Sequence, residues 1–186
     1  MGLIAVIDTE TNWYDQVMSI GVVAADAGTM QPAAEKYYIL TPESLSEGMY
    51  SDRMDLADPE KTQVLSRGPA MADLKGWLGE LGVSRIFAYN ARFDCHHLPE
   101  LSGFSWYDIM RIAAYRQYNS SIPLCAECCT TGRLRRNYGV EPTLRRLMGD
   151  PGYAETHNAL LDALDELKIM ELLRKPVSLY EEAAKV

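Results

Sequence analysis

No apolar run in this chain approaches the roughly 18 residues a membrane-spanning helix requires. The N-terminal apolar stretch is cut by Asp8 before it could form a secretory-signal core. Position 6 holds Val where an N-myristoylation signal needs Ser or Thr. A disulfide framework is also missing. Of four cysteines, Cys125, Cys128 and Cys129 fall within five positions and Cys95 stands apart, a pattern suited to a reducing compartment. There is no internal repeat and no low-complexity tract to mark a second domain. These absences predict a cytoplasmic protein with no membrane partner. They also predict one domain over 1–175, an irregular Cys- and Arg-rich insertion at about 118–142 and a short tail over 176–186.

What is present fits a soluble globular protein. At 186 residues, 47% hydrophobic and 24% charged, the chain is long enough to bury a sizeable core. The formal charge of -8 argues against indiscriminate binding to polyanions. It leaves a nucleic-acid substrate open, because acids that hold metal ions count as negative yet present positive charge to a phosphate.

Leu3 to Ile7 reads as a buried strand that ends in Asp8-Thr9-Glu10-Thr11. Side chains two apart on a strand share a face, so Asp8 and Glu10 project toward one point. Two anions so placed repel unless a cation lies between them. From this stretch alone, a divalent metal site and a strand end with solvated acids both stand.

Val17–Ala25 and Lys36–Thr41 follow as strands, giving an antiparallel meander, and the polar stretch from Ser44 to Pro59 reads as a lid-like crossing loop. Met71, Leu74, Trp77, Leu78 and Leu81 recur at helical spacing up to Gly82. Arg85–Asn90 reads as a short strand and 91–101 as a helix, so the pattern predicts an α/β fold with a mixed sheet covered by helices. Asp108 reads as a helix N-cap before Ile109, Ile112 and Tyr115. A short helix over Thr143–Met148 stops at Gly149, and the last long helix runs from about Thr156 to Arg174.

Between 133 and 146 stand Arg133, Arg135, Arg136, Arg145 and Arg146 against one acid, Glu141, a local reversal of the overall charge. A solvated basic face and a phosphate-gripping flank are both consistent with it. Cys125, Cys128 and Cys129 invite a zinc reading. The nearest partners in sequence, Cys95, His96 and His97, are about thirty residues away, so free thiols are the default. His96 and His97 read as surface or packing residues.

Asp8-Thr9-Glu10-Thr11, Asn90-Ala91-Arg92-Phe93-Asp94 and His157-Asn158-Ala159-Leu160-Leu161-Asp162-Ala163 resemble, in order, the three motifs of the DEDDh 3′–5′ exonuclease family. That family is DnaQ-like and belongs to the ribonuclease H-like superfamily. The resemblance spans about residues 3–172. It implies a ribonuclease H-like α/β fold with a central mixed five-stranded sheet. It also implies hydrolysis of phosphodiesters from the 3′ end of single-stranded DNA or RNA, with release of a nucleotide product.

By the same resemblance, Asp8, Glu10, Asp94 and Asp162 hold two divalent cations, Mg²⁺ or Mn²⁺, and His157 activates the attacking water. The histidine form of the family is indicated, since Tyr153 does not fit the tyrosine spacing. Four carboxylates suit hard, oxygen-ligated cations, and paired cations stabilise both the attacking and the leaving oxygen. On a helix, His157 and Asp162 would be separated by roughly 140°. His157 must therefore sit at or before the first turn, free to swing.

The expected substrate contacts are Thr9, Thr11, Asn12, Trp13, Asn90, Phe93, Arg135 and Arg136. Asn12 and Trp13 stand where many members carry Gly. Trp13 reads either as a base-stacking residue or as one packed in the core or under the lid. Homodimerisation and service as a polymerase subunit are the assemblies the resemblance leaves open. A module of the same fold that binds nucleic acid or docks on a polymerase with weak chemistry is the alternative.

Overall fold

The computed structural model describes residues 2–186. Six strands form one mixed sheet: β1 (Leu3–Thr11), β2 (Val17–Asp26), β3 (Pro32–Leu40), β4 (Thr62–Leu65), β5 (Arg85–Ala88) and β6 (Ser105–Asp108), in the order β4-β3-β2-β1-β5-β6. β1, β2 and β3 are antiparallel neighbours, whereas β4 runs parallel to β3, and β5 and β6 run parallel to β1. The sheet thus has six strands where five were expected. Thr62–Leu65 and Ser105–Asp108 are four residues each, too short to carry a periodic pattern, and each is held by one parallel neighbour.

β1 is central and buried on both faces, as a continuous apolar run requires. Its even residues, Ile4 and Val6, face one core layer with Phe87, Ile112, Leu160 and Leu167. Its odd residues, Ala5 and Ile7, face the other with Leu74, Leu78 and Ile86.

α1 (Arg67–Glu80) supplies Leu74 and Leu78 and covers the odd face. α3 (Ile109–Ala113), α4 (Val140–Met148), α5 (Ala159–Leu173) and α6 (Val177–Ala183) contribute to the even face. α2 (Arg92–His97) sits at the strand ends, past β5. α6 lies where a tail was expected. Its Val177 and Tyr180 are buried, and Lys185 bridges to Tyr107 on β6. A helix of seven residues offers too few apolar positions to show a helical period.

The crossing from β3 to β4 contains three short 3₁₀ turns, Glu43–Leu45, Ser51–Leu56 and Pro59–Lys61. Asp108 does cap α3, its carboxylate accepting the Met110 N–H at 2.9 Å.

Candidate active site

Because Asp8 and Glu10 continue the row of Ile4 and Val6, both lie on the face that α5 covers. α5 can reach that part of the sheet because the β2 residue paired with Asp8 is Gly21. A Cβ on Gly21 would fall 2.1 Å from the Ala159 carbonyl carbon. Only a glycine lets the first turn of α5 settle there. On α5, Asp162 and Glu166 are four residues apart and both buried, so they point from one stripe toward the sheet.

Asn158 caps the helix, accepting the N–H groups of Leu160 and Leu161 at 3.1 and 3.4 Å. His157 precedes the helix at φ 60°. Its ring is not free to swing, since it lies flat against Tyr50. One ligand atom each from Glu10, His157 and Asp162 lie within 4.8 Å of one another.

Asp94 arrives from α2. It is 1% exposed and accepts a hydrogen bond from the Thr9 hydroxyl at 2.8 Å. The turn into α2 is fixed by Asn90, which adopts a left-handed φ of 65° and donates its N–H to Asp108 at 2.9 Å.

The electrostatics are one-sided. Among the described residues, no Lys or Arg forms an ion pair with Asp8, Glu10, Asp94 or Asp162. Burial raises the Asp8 carboxyl well above its usual range, with Asp94, Glu166, Asp162 and Glu10 adding to it. Burial, with Glu155 and Asp94, lifts Glu10 to about 7. Burial takes Asp94 to about 7 against the opposing Thr9 hydrogen bond. Asp162 rises to about 8 from burial, Glu155, Glu10 and Asp165. Its Oδ1 is buried with no hydrogen-bond partner among the described residues. His157 is lowered, chiefly by burial, with Glu141 pulling it back up. The site is therefore a set of anions that protons or cations must relieve.

Two acids in this cluster were missed from the sequence. Glu166, 2% exposed, accepts the Tyr89 N–H at 3.0 Å, and burial followed by Asp94 raises it well above its usual range. Its spacing from Asp162 on an apolar face was the available signal. Glu155 is raised to about 7 by burial, Asp165 and Glu141. It stands two residues before His157 in a segment with no regular structure, where no periodicity marks it.

The expected substrate contacts divide. Trp13 is 64% exposed and Phe93 39%, so neither is a core residue. Asn12 is buried and commits its amide to the β1–β2 turn: Oδ1 accepts from Tyr14 and Gln16, and Nδ2 donates to Gln16 and Glu43. Thr11 follows a bulge at the end of β1, and Asn90 is exposed beside Phe93. Arg135 is exposed and donates to the Cys128 carbonyl. Arg136 pairs with Glu127 at 2.7 Å and Arg145 with Glu141 at 2.9 Å, so part of the basic window is neutralised locally.

Cys125, Cys128 and Cys129 do not join any group of three metal-capable side chains among the described residues. His97 ties α2 to the hairpin through Asp15 at 3.1 Å. The Tyr153 hydroxyl is engaged by Asp165.

No family model matches the chain, and no curated protein matches its sequence. Solved structures do match in shape. The nuclease domain of 3′hExo, a DEDDh family member, bound to rAMP, is 14% identical with a TM-score of 0.65, covering 99% of this chain and 96% of that one. Exonuclease X in complex with 5′ overhanging duplex DNA is 16% identical with a TM-score of 0.56, covering 96% and 98%. E. coli exonuclease I in complex with a dA16 oligonucleotide is 12% identical with a TM-score of 0.64, covering 98% of this chain and 43% of that one. With its mixed sheet, flanking helices and acids at the end of the central strand, the chain has the ribonuclease H-like, DnaQ-like fold of the DEDDh 3′-exonucleases.

Proposed function

We propose that this protein is a divalent-cation-dependent 3′–5′ exonuclease that removes nucleotides from the 3′ end of single-stranded DNA or RNA. The observation that supports this is that Glu10, His157 and Asp162 bring ligand atoms within 4.8 Å of one another, with Asp8 and Asp94 outside that group but near enough for the acids to raise one another, and with no Lys or Arg paired to any of the four acids among the described residues. The donor set fits hard cations: every acid contributes oxygen, and Asp162 Oδ1 is buried without a hydrogen-bond partner among the described residues. Asp8, Glu10, Asp94 and Asp162 would hold two Mg²⁺ or Mn²⁺. When bound, such ions supply positive charge to the attacking and leaving oxygens of a phosphodiester.

The residues themselves do the rest. His157, held neutral by burial, takes the proton of a water whose oxygen bonds to phosphorus. The bond from phosphorus to the 3′ oxygen of the preceding nucleotide breaks, and that oxygen takes a proton from solvent water, releasing a nucleoside 5′-monophosphate and leaving a new 3′ hydroxyl, while the proton on His157 returns to solvent. Thr9 orients Asp94 through its hydroxyl. Trp13 and Phe93 offer exposed rings on which terminal bases stack.

The test uses 5′-labelled single-stranded DNA and RNA with Mg²⁺ or Mn²⁺. Wild type is expected to give a ladder shortening from the 3′ end, absent in EDTA and absent in Asp162→Asn. A wild type as inert as that variant on both substrates would overturn the enzyme reading and favour a binding module. His157→Ala is expected to lose roughly 10²–10⁴-fold in turnover with metal affinity nearly intact.

A further inference from the structure

The crossing loop between β3 and β4 takes part in the candidate site through Tyr50. Its ring stacks on His157 with centroids 4.0 Å apart and planes 8° from parallel. Both sides of Tyr50 are anchored. On one side, Gly48 forms a β-bridge with Asn12, and the Glu47 carbonyl accepts the Trp13 N–H at 3.1 Å. A Cβ on Gly48 would lie 2.6 Å from the Thr11 carbonyl oxygen, so the loop touches the end of β1 directly. On the other side, the Arg53 carbonyl accepts from Asn158 Nδ2 at 2.8 Å. Tyr50 is thus fastened between the strand that carries Glu10 and the residue next to His157.

We infer that Tyr50 is a positioning residue for His157, a role that rests on the nuclease reading above. His157 lies outside the helix at a left-handed φ, where no helical neighbour restrains its ring. A proton acceptor that rotates about its own side chain spends little time aimed at the water it must deprotonate. The flat contact with Tyr50 removes that freedom and keeps an imidazole nitrogen near the Glu10 and Asp162 carboxylates. The contact needs a planar ring; a branched aliphatic side chain of similar bulk fills the space without aligning the imidazole. No hydrogen bond from the Tyr50 hydroxyl is required.

The experiment compares wild type, Tyr50→Phe and Tyr50→Leu on a single-stranded oligonucleotide with Mg²⁺, together with the imidazole proton resonances of His157. With three histidines in the chain, His157→Ala assigns the signal. Tyr50→Leu is expected to lower kcat roughly tenfold or more while KM changes less than about twofold, and Tyr50→Phe to retain the wild-type kcat. The His157 resonances should carry a ring-current shift in wild type and Tyr50→Phe that disappears in Tyr50→Leu. An active wild type with unchanged kcat in Tyr50→Leu overturns the role, as does an equal loss in both variants or an unshifted His157 signal. An inert wild type overturns the nuclease reading and the role with it, whereas the resonances report the stack independently.

Discussion

The two ends of the central β1–β2 pair both carry carboxylates and treat them oppositely. At the far end, Asp26 accepts hydrogen bonds from the Gly28 and Thr29 N–H groups and from the Thr29 hydroxyl, and these lower its carboxyl. Nearby Arg85 pairs with Glu181 at 2.9 Å and Glu171 with Lys168 at 2.7 Å. That end also borders a pocket of about 780 Å³ between Met30, Arg85, Met170, Arg174 and Val177. At the other end the carboxyls are raised, and Asp162 Oδ1 has no hydrogen-bond partner among the described residues. The difference teaches that the end proposed to be catalytic is set apart by unrelieved charge and not by open volume.

The largest effect expected from that contrast comes from exchanging an acid for its amide at each end. Asp8→Asn should abolish exonuclease turnover, by roughly 10³-fold or more, yet raise Tm in EDTA because one of the mutually repelling acids is gone. Asp26→Asn should leave turnover unchanged and lower Tm, since its carboxylate is the well-served one. Gel assays and thermal melts of the two variants check both signs, and matching signs would break the contrast.

Gly21→Ala comes next. With its Cβ set against the Ala159 backbone, α5 must lift, and we expect a loss of about 1–3 kcal/mol in stability. Turnover should fall with it as Asp162 leaves the cluster. Chemical denaturation and the same assay measure the two.

A smaller effect concerns pH. Glu10 and Asp94 at about 7 and Asp162 at about 8 all exceed their unfolded values near 4. The folded chain therefore binds more protons than the unfolded one. The stability these groups contribute is fully present below about pH 4 and is lost as pH climbs through 7 to 8. Melts in EDTA should show Tm falling over that window. Mg²⁺ should raise Tm more at pH 8 than at pH 5.5, because it then replaces absent protons. A metal effect independent of pH would sever the link between these acids and the cation.

The smallest effect lies away from the sheet. Arg135→Ala should weaken oligonucleotide binding and reduce its salt slope by about one. Arg136→Ala should do less, because Glu127 already neutralises that side chain.

How much of this was legible follows from how local each feature is. β1 and its two acids were legible because strand alternation is a two-residue rule, and the N-cap at Asp108 because capping is local. Asp94, His157 and Asp162 could be joined to them only through motif order, since nothing in a periodicity brings residues 8 and 162 together. β4, β6 and α6 escaped because each is too short to show a pattern and exists through its neighbours. Gly21 and Tyr50 escaped for a related reason. Their importance lies in what stands opposite them, Ala159 and His157, more than a hundred residues along the chain.

Asn158 is 1% exposed and its one side chain serves several masters: the first turn of α5, the Tyr37 hydroxyl and the Arg53 and Met54 carbonyls. Helix start and crossing loop therefore share a fastener, and neither can loosen while the other stays whole. In hydrogen exchange, the amides of Leu160 and Leu161 should open together with the loop around Arg53 as one cooperative unit. The site would then come apart and reassemble in a single step.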